Sequence, residues 1–302
     1  MLRTEVTDLT RSCPACHSRN SIPEGLKADF KILSCRECDS IYTATLPALS
    51  SAQDYDSYYS SENLAVPEFT HKRLDEIVAG FERYRRDSRL LEVGFGAGSF
   101  LQAAARGAWN VEGVEVSKTA CEHSRAAGFN TFCGELSAAG YHESSFDVVI
   151  ASELLEHVPD PSLILREVAR IVRPGGLLWA TTPNAKGLSS RLLGLEWSVL
   201  SPPEHLHLFS APGLKRLLLE AGFRRVRINT EGLNPFEIMK RLRRQKSSGE
   251  SGLDTGSERV HSGYRLNEAM VKSAPRKAAK NFINRLLRIS QLGDSLKIWA
   301  ER

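Results

Sequence analysis

Three glycines at alternate positions, Gly94, Gly96 and Gly98, follow the short apolar run Arg89–Val93. Glycine tolerates positive φ and lets bare backbone approach a ligand. The segment behind them, residues 99–107, reads as a helix, whose first turn adds unpaired N–H groups. The spacing G-x-G-x-G differs from the dinucleotide pattern G-x-G-x-x-G. Residues 110–116 read as the next strand, and Glu115 lies 21 positions after Gly94. A carboxylate so placed in a nucleotide-binding α/β domain accepts hydrogen bonds from ribose hydroxyls.

A second chemistry is written in cysteines. Cys13 and Cys16, then Cys35 and Cys38, form two C-x-x-C pairs separated by 18 residues. Two such turns supply four thiolates to one tetrahedral ion, so residues 1–46 read as a zinc ribbon holding a structural Zn2+. The segment is too short to bury a sizeable core, and the metal would provide its folding energy. The glycine that usually follows each C-x-x-C is replaced by His17 and Asp39. Cys121 and Cys133 stand apart and read as core residues.

Alternating strands and helices must carry these groups. Strands are expected at Arg89–Val93 and at residues 110–116, 129–133, 146–151, 177–182 and 224–230. Ser117, Asp160 and Ser210 are placed to cap helices, with Pro161 opening the second of them. Residues 294–300 read as a seventh, antiparallel strand after an insertion at about 244–273 whose Ser/Gly content predicts flexibility. Residues 47–88 form a bridge. It contains Tyr58 and Tyr59 and a helical apolar pattern over residues 68–86. In an open α/β sheet, ligands bind beyond the C-terminal strand ends, where each motif above falls.

The E-x-G-x-G-x-G run starting at Glu92, with Glu115, resembles the class I S-adenosylmethionine-dependent methyltransferases, and the resemblance extends over residues 89–222. It implies a Rossmann-like α/β fold, a seven-stranded methyltransferase sheet behind the small ribbon module. It implies S-adenosyl-L-methionine as cofactor, with Glu92 bracing the loop, Gly94, Gly96 and Gly98 beside the methionine part, and Glu115 on the ribose. Glu135 falls where the family often puts an acidic residue near the adenine amine, and Glu153 faces cofactor or substrate. In such enzymes N-terminal helices often cover the cofactor, a role open to the bridge and its tyrosines. They could equally pack the ribbon onto the core.

The element Glu153-x-x-Glu156-His157 resembles ubiquinone-pathway O-methyltransferases, where it is linked to a divalent ion; capping and packing of the turn is the reading favoured here. The long loop over residues 183–209 ends in His205-Leu206-His207-Leu208-Phe209-Ser210, similar to small-molecule and saccharide-modifying members of the class. A hydroxyl acceptor must lose a proton, so His205 or His207 is expected as the general base. If the segment is extended, both rings face one side.

Other acceptors are disfavoured. The Asp/Asn-Pro-Pro-aromatic motif of DNA amino-methyltransferases is replaced by Ser152-Glu153-Leu154-Leu155, and neither core cysteine follows a proline, as a pyrimidine C5-methyltransferase would require. The expected reaction is O-methylation of a small acceptor such as a saccharide, lipid precursor or secondary metabolite. An RNA methyltransferase that uses the ribbon for recognition and a non-catalytic binding module stay open as alternatives. Net charge is +4 on 40 basic and 36 acidic residues among 302, so composition gives no argument for nucleic acid. No run approaches a membrane span, and residues 1–12 lack the apolar core of a secretory leader, so a cytoplasmic protein is expected.

Overall fold

The computed structural model describes residues 11–47, 68–244 and 274–302. The tyrosines at 58 and 59 and the insertion expected at about 244–273 lie almost wholly outside these residues.

Eleven strands are present among the described residues. They are β1 (Ser21–Lys27), β2 (Phe30–Cys35), β3 (Ile41–Thr43), β4 (Arg89–Val93), β5 (Asn110–Glu115), β6 (Asn130–Cys133), β7 (Phe146–Ser152), β8 (Val172–Pro183), β9 (His207–Leu208), β10 (Arg225–Glu231) and β11 (Ser295–Glu301). Seven form one sheet in the order β10-β11-β8-β7-β4-β5-β6. β4 pairs in parallel with β5 and β7, and β11 runs antiparallel to both its neighbours, as expected for the last strand.

Helices cover both faces. They are α1 (Glu68–Ala79), α2 (Ser99–Arg106), α3 (Lys118–Ala126), α4 (Pro161–Ile171), α5 (Leu188–Leu193), α6 (Ala211–Glu220), α7 (Pro235–Arg244) and α8 (Ala274–Ser290). The caps fall as expected: Ser117 Oγ accepts from Ala120 N, Asp160 Oδ1 from Ser162 N and Leu163 N, and Ser210 Oγ from Gly213 N.

Two boundaries differ from expectation by more than two residues. The helix expected over residues 68–86 stops at Ala79, and a 3-10 turn follows at Glu82–Tyr84. Gly80 sits at the break, where a Cβ would lie 3.2 Å from the Trp299 ring, so close packing on the sheet ends the helix. The strand expected at residues 177–182 starts five residues earlier, at Val172, and residues 172–176 form an irregularity in β8, where the register against β7 slips between Phe146 and Val148.

Apolar periodicity divides the core. Val78, Phe81, Phe100, Ala104 and Trp179 pack one face of the sheet. On the other face Leu165, Val168, Leu214, Leu217 and Phe223 join Val149, Leu178 and Ile298. The four ribbon cysteines and Tyr42 belong to that second cluster, so the ribbon is packed into the methyltransferase-like core.

Asp147 fixes one end of the sheet. It accepts from Arg86 N, Asp87 N and Arg89 N, and from Arg173 Nε at 2.5 Å. Burial alone would raise its pKa, but the Arg173 hydrogen bond and these amides prevail and hold it below the ordinary carboxylate value. Its contribution is therefore complete above about pH 4 and declines as pH falls through the depressed value. Asp147→Ala strands a mostly buried guanidinium and should cost about 3–5 kcal/mol in urea denaturation at pH 7. The deficit should narrow in acid.

Candidate active site and metal centre

The glycine loop has the conformation its sequence requires. Gly94, Gly96 and Gly98 have φ of 69°, 50° and 70°, values that strain any L side chain. Gly94 N donates to Val114 O at 2.8 Å, which closes the turn as β4 ends. Gly98 is the N-cap of α2 and offers no side-chain cap, leaving that helix start to the loop. Buried Glu92 accepts from Leu101 N at 3.1 Å, tying β4 to the first turn of α2. Burial, opposed by the Leu101 amide and reinforced by Glu115, pushes the Glu92 carboxyl well up.

Glu115 ends β5 beside this loop. Its Oε2 accepts from Gly96 N at 3.0 Å, and its Oε1 accepts from Val116 N and Ser117 N at 2.8 and 3.1 Å. A carboxylate offers about four acceptor positions. Two ribose hydroxyls therefore need one of these three bonds to open. Glu135 is exposed just after β6 and is the N-cap residue of a short 3-10 turn. Glu153 is exposed just after β7 in a left-handed conformation with φ of 49°. The four carboxylates and the glycines thus lie on four adjacent strands near their C-terminal ends. The carboxylate suits ribose hydroxyls, and the bare N–H groups at the helix start suit an anionic group such as the carboxylate of a methionine moiety.

The turn after β7 is stitched to the segment that holds the two candidate histidines. Glu156 O accepts from Leu206 N at 2.8 Å, and His157 Nδ1 donates to Glu204 O at 2.9 Å. His207 Nε2 donates to Leu155 O at 2.8 Å, and its Nδ1 accepts from Arg11 Nη2 at 3.3 Å. His207 is fully buried; burial first, and Arg11 second, lower its pKa to about 3. His205 donates from Nδ1 to Val199 O at 2.5 Å, and its ring meets that of His157 edge-on with centroids 4.6 Å apart. The two histidines thus differ in setting: His207 has both ring nitrogens tied into the junction with Arg11, and His205 donates through Nδ1, which places its unprotonated nitrogen at Nε2.

Glu156 belongs to the same turn. It is completely buried, Oε2 accepts from Thr182 Oγ1 at 2.8 Å, and Oε1 has no hydrogen-bond partner. Burial, then Glu153, pushes its carboxyl well above the usual range. Glu156, His157 and His205 offer ligand atoms within 4.8 Å of one another. The Glu-x-x-Glu-His spacing marked two of these residues, but nothing local in sequence pairs them with His205, 48 positions after His157.

At the ribbon, Cys13 Sγ lies 3.6 Å from Cys38 Sγ, and Cys16 Sγ lies 3.5 Å from Cys35 Sγ. All four sulfurs lie within 4.8 Å of one another. A zinc ion with bonds of about 2.3 Å needs tetrahedral sulfurs about 3.8 Å apart, so the group fits. His17 and Asp39 take φ of 60° and 59°, the left-handed turn that glycine usually provides after C-x-x-C. The ribbon sheet is not self-contained. Its order is β1-β2-β3-β9, with Ile41 opposite Leu208 and Tyr42 opposite His207. Arg11 donates to Leu206 O at 2.7 Å, and a Cβ on Gly213 would come within 3.0 Å of Cys38 Sγ.

This fold is that of the class I S-adenosylmethionine-dependent methyltransferases. A methyltransferase-domain family model matches residues 67–228, and the chain belongs to that family. The chain is 35% identical over 159 residues to a ubiquinone biosynthesis O-methyltransferase of Ralstonia nicotianae, a match covering 50% of this chain and 64% of the relative. A protein of the same name from Thiobacillus denitrificans is 32% identical over 167 residues, covering 51% and 72%. The chain thus spans less than two thirds of the first relative. A methyltransferase structure from Archaeoglobus fulgidus superposes with a TM-score of 0.54 at 19% identity, covering 82% of this chain and all of the other, and shows the shared fold. Among the described residues no helix is long and apolar enough to cross a membrane.

Proposed function

We propose that the chain transfers the methyl group of S-adenosylmethionine to a hydroxyl of a small-molecule acceptor. The observation that carries this reading is the loop of three positive-φ glycines joined to Glu115 through the Gly96 N–H at 3.0 Å. The two relatives named as O-methyltransferases support oxygen as the acceptor atom.

S-adenosylmethionine supplies a methyl group already activated on a sulfonium. The chain has to hold donor and acceptor in line and keep water away. Glu92 holds the loop against α2, the glycines line the methionine part, and Glu115 holds the ribose. Glu135 takes the adenine amine and Glu153 faces the open end of the site. His205 Nε2 takes the acceptor proton, with Nδ1–H anchored on Val199 O. His207 is the strut that keeps this segment on the β7 turn. Cys13, Cys16, Cys35 and Cys38 hold a structural zinc ion.

Calorimetry with S-adenosylmethionine and transfer from labelled cofactor into a small-molecule extract test this reading. The wild-type chain should bind, and label should enter the small-molecule fraction. Glu115→Ala should weaken binding about 10- to 100-fold, the worth of hydrogen bonds to a charged group. No heat of binding in the wild type would end the proposal.

A further inference from the structure

Over residues 282–290, where its side chains are described, helix α8 buries Leu287 and leaves an apolar stripe exposed. Leu287 faces the protein, where its carbonyl accepts from Thr230 Oγ1 at 2.8 Å, and Asn284 accepts from Gly232 N at 3.3 Å. On the other side Phe282, Leu286 and Ile289 are 62%, 51% and 72% exposed, with Ile283 beside them at 43%. Positions 282, 286 and 289 fall on one stripe of a helix. Large apolar side chains lined up in water mark a surface with an occupant.

Charge identifies the occupant. The sequences of α7 and α8 together carry nine basic residues and one acidic residue, Glu237. The rest of the chain has 31 basic and 35 acidic residues, a net of −4. The positive charge of the molecule is therefore concentrated on two helices, one of which exposes an apolar stripe. Two arginines are engaged at home, Arg241 with Glu196 and Arg288 with Glu231. Arg285 is exposed next to the stripe. A basic helix with Phe, Leu and Ile on one side suits the boundary between anionic headgroups and acyl chains.

We propose that α8 seats the protein on an anionic lipid surface, Phe282, Leu286 and Ile289 entering the acyl boundary while Arg285 beside them and the net positive charge of the α8 sequence favour the headgroups. The position makes functional sense. Ser295, just beyond α8, pairs with Pro183 at the C-terminal end of β8, so the helix ends near the sheet edge that holds the glycine loop. An apolar acceptor could pass from the bilayer to that edge. The inference goes beyond the transfer reaction and its test does not require turnover.

The test is flotation of the full chain with vesicles of phosphatidylcholine alone or with a third of phosphatidylglycerol. Binding to the anionic vesicles should be about tenfold stronger or more and should weaken with salt. The combined variant Phe282→Ser, Leu286→Ser, Ile289→Ser should lose about tenfold of it while keeping S-adenosylmethionine affinity and melting temperature. The proposal is overturned if the wild type ignores anionic vesicles or if the variant binds them equally well. It is also overturned if the wild type ignores vesicles but dimerises in sedimentation equilibrium and the variant does not, because a second copy would then cover the stripe.

Discussion

Stripping the ribbon metal, by chelation or by Cys35→Ser, is expected to loosen the segment around His205 as well as the ribbon. A structural zinc site contributes on the order of 10 kcal/mol to the fold of a small module. The ribbon itself has three short strands, and its cysteines, Leu33 and Tyr42 are packed onto the sheet core and do not form a core of their own. Its sheet ends in β9, which belongs to the loop after β8, and Thr43 N donates to Leu206 O at 3.0 Å. When the ribbon melts, β9 loses its partner, and Leu206 and His207 lose Arg11. Amide exchange over residues 204–210 should accelerate about tenfold or more, because local opening there no longer breaks a sheet. The glycine loop and Glu115 share no hydrogen bond with the ribbon among those described, so S-adenosylmethionine affinity should change less than about threefold. Methyl transfer should fall about 100-fold, the usual cost of a base displaced by roughly 1 Å. Metal release is followed with a chromogenic chelator and exchange by mass spectrometry. Unchanged exchange at residues 204–210 after the metal has left would refute the coupling.

This junction shows where sequence reading stops. The glycine loop, Glu115, the caps at Ser117, Asp160 and Ser210, and the antiparallel last strand were legible because each is encoded within a few residues. A left-handed turn, a capping hydroxyl or a strand period needs only its neighbours. The C-x-x-C pairs were legible for the same reason. That the ribbon borrows β9 was not, since two residues 165 positions from Tyr42 carry no periodicity of their own. His205 and His207 were indistinguishable in sequence because alternation alone does not reveal hydrogen-bond partners. Arg11 and Leu155 O separate them, and both come from distant parts of the chain. The break at Gly80 belongs to the same class, set by the Trp299 ring arriving from the last strand.

That separation gives the second large effect. His205→Ala should lower kcat by about 100- to 10,000-fold, the range for losing a general base, with S-adenosylmethionine affinity intact. The acid limb of the kcat profile should disappear in the variant, a change that mere loosening would not produce. His207→Ala should behave differently. It leaves Leu155 O and the Arg11 guanidinium short of a partner and should cost about 1–3 kcal/mol of stability, with activity recovering as temperature is lowered. Burial and Arg11 keep His207 neutral down to about pH 3, whereas the unfolded chain protonates it near pH 6.5. The unfolded state thus binds more protons between these values, and His207 makes stability fall as pH drops below about 6.5. The loss from pH 7 to pH 5 should be about 2 kcal/mol, and His207→Gln should remove that part of the slope. If His205→Ala retains full kcat while His207→Ala loses it at every temperature, the two roles are reversed. The proton would then leave through the buried ring, and Arg11 would have to move to admit it.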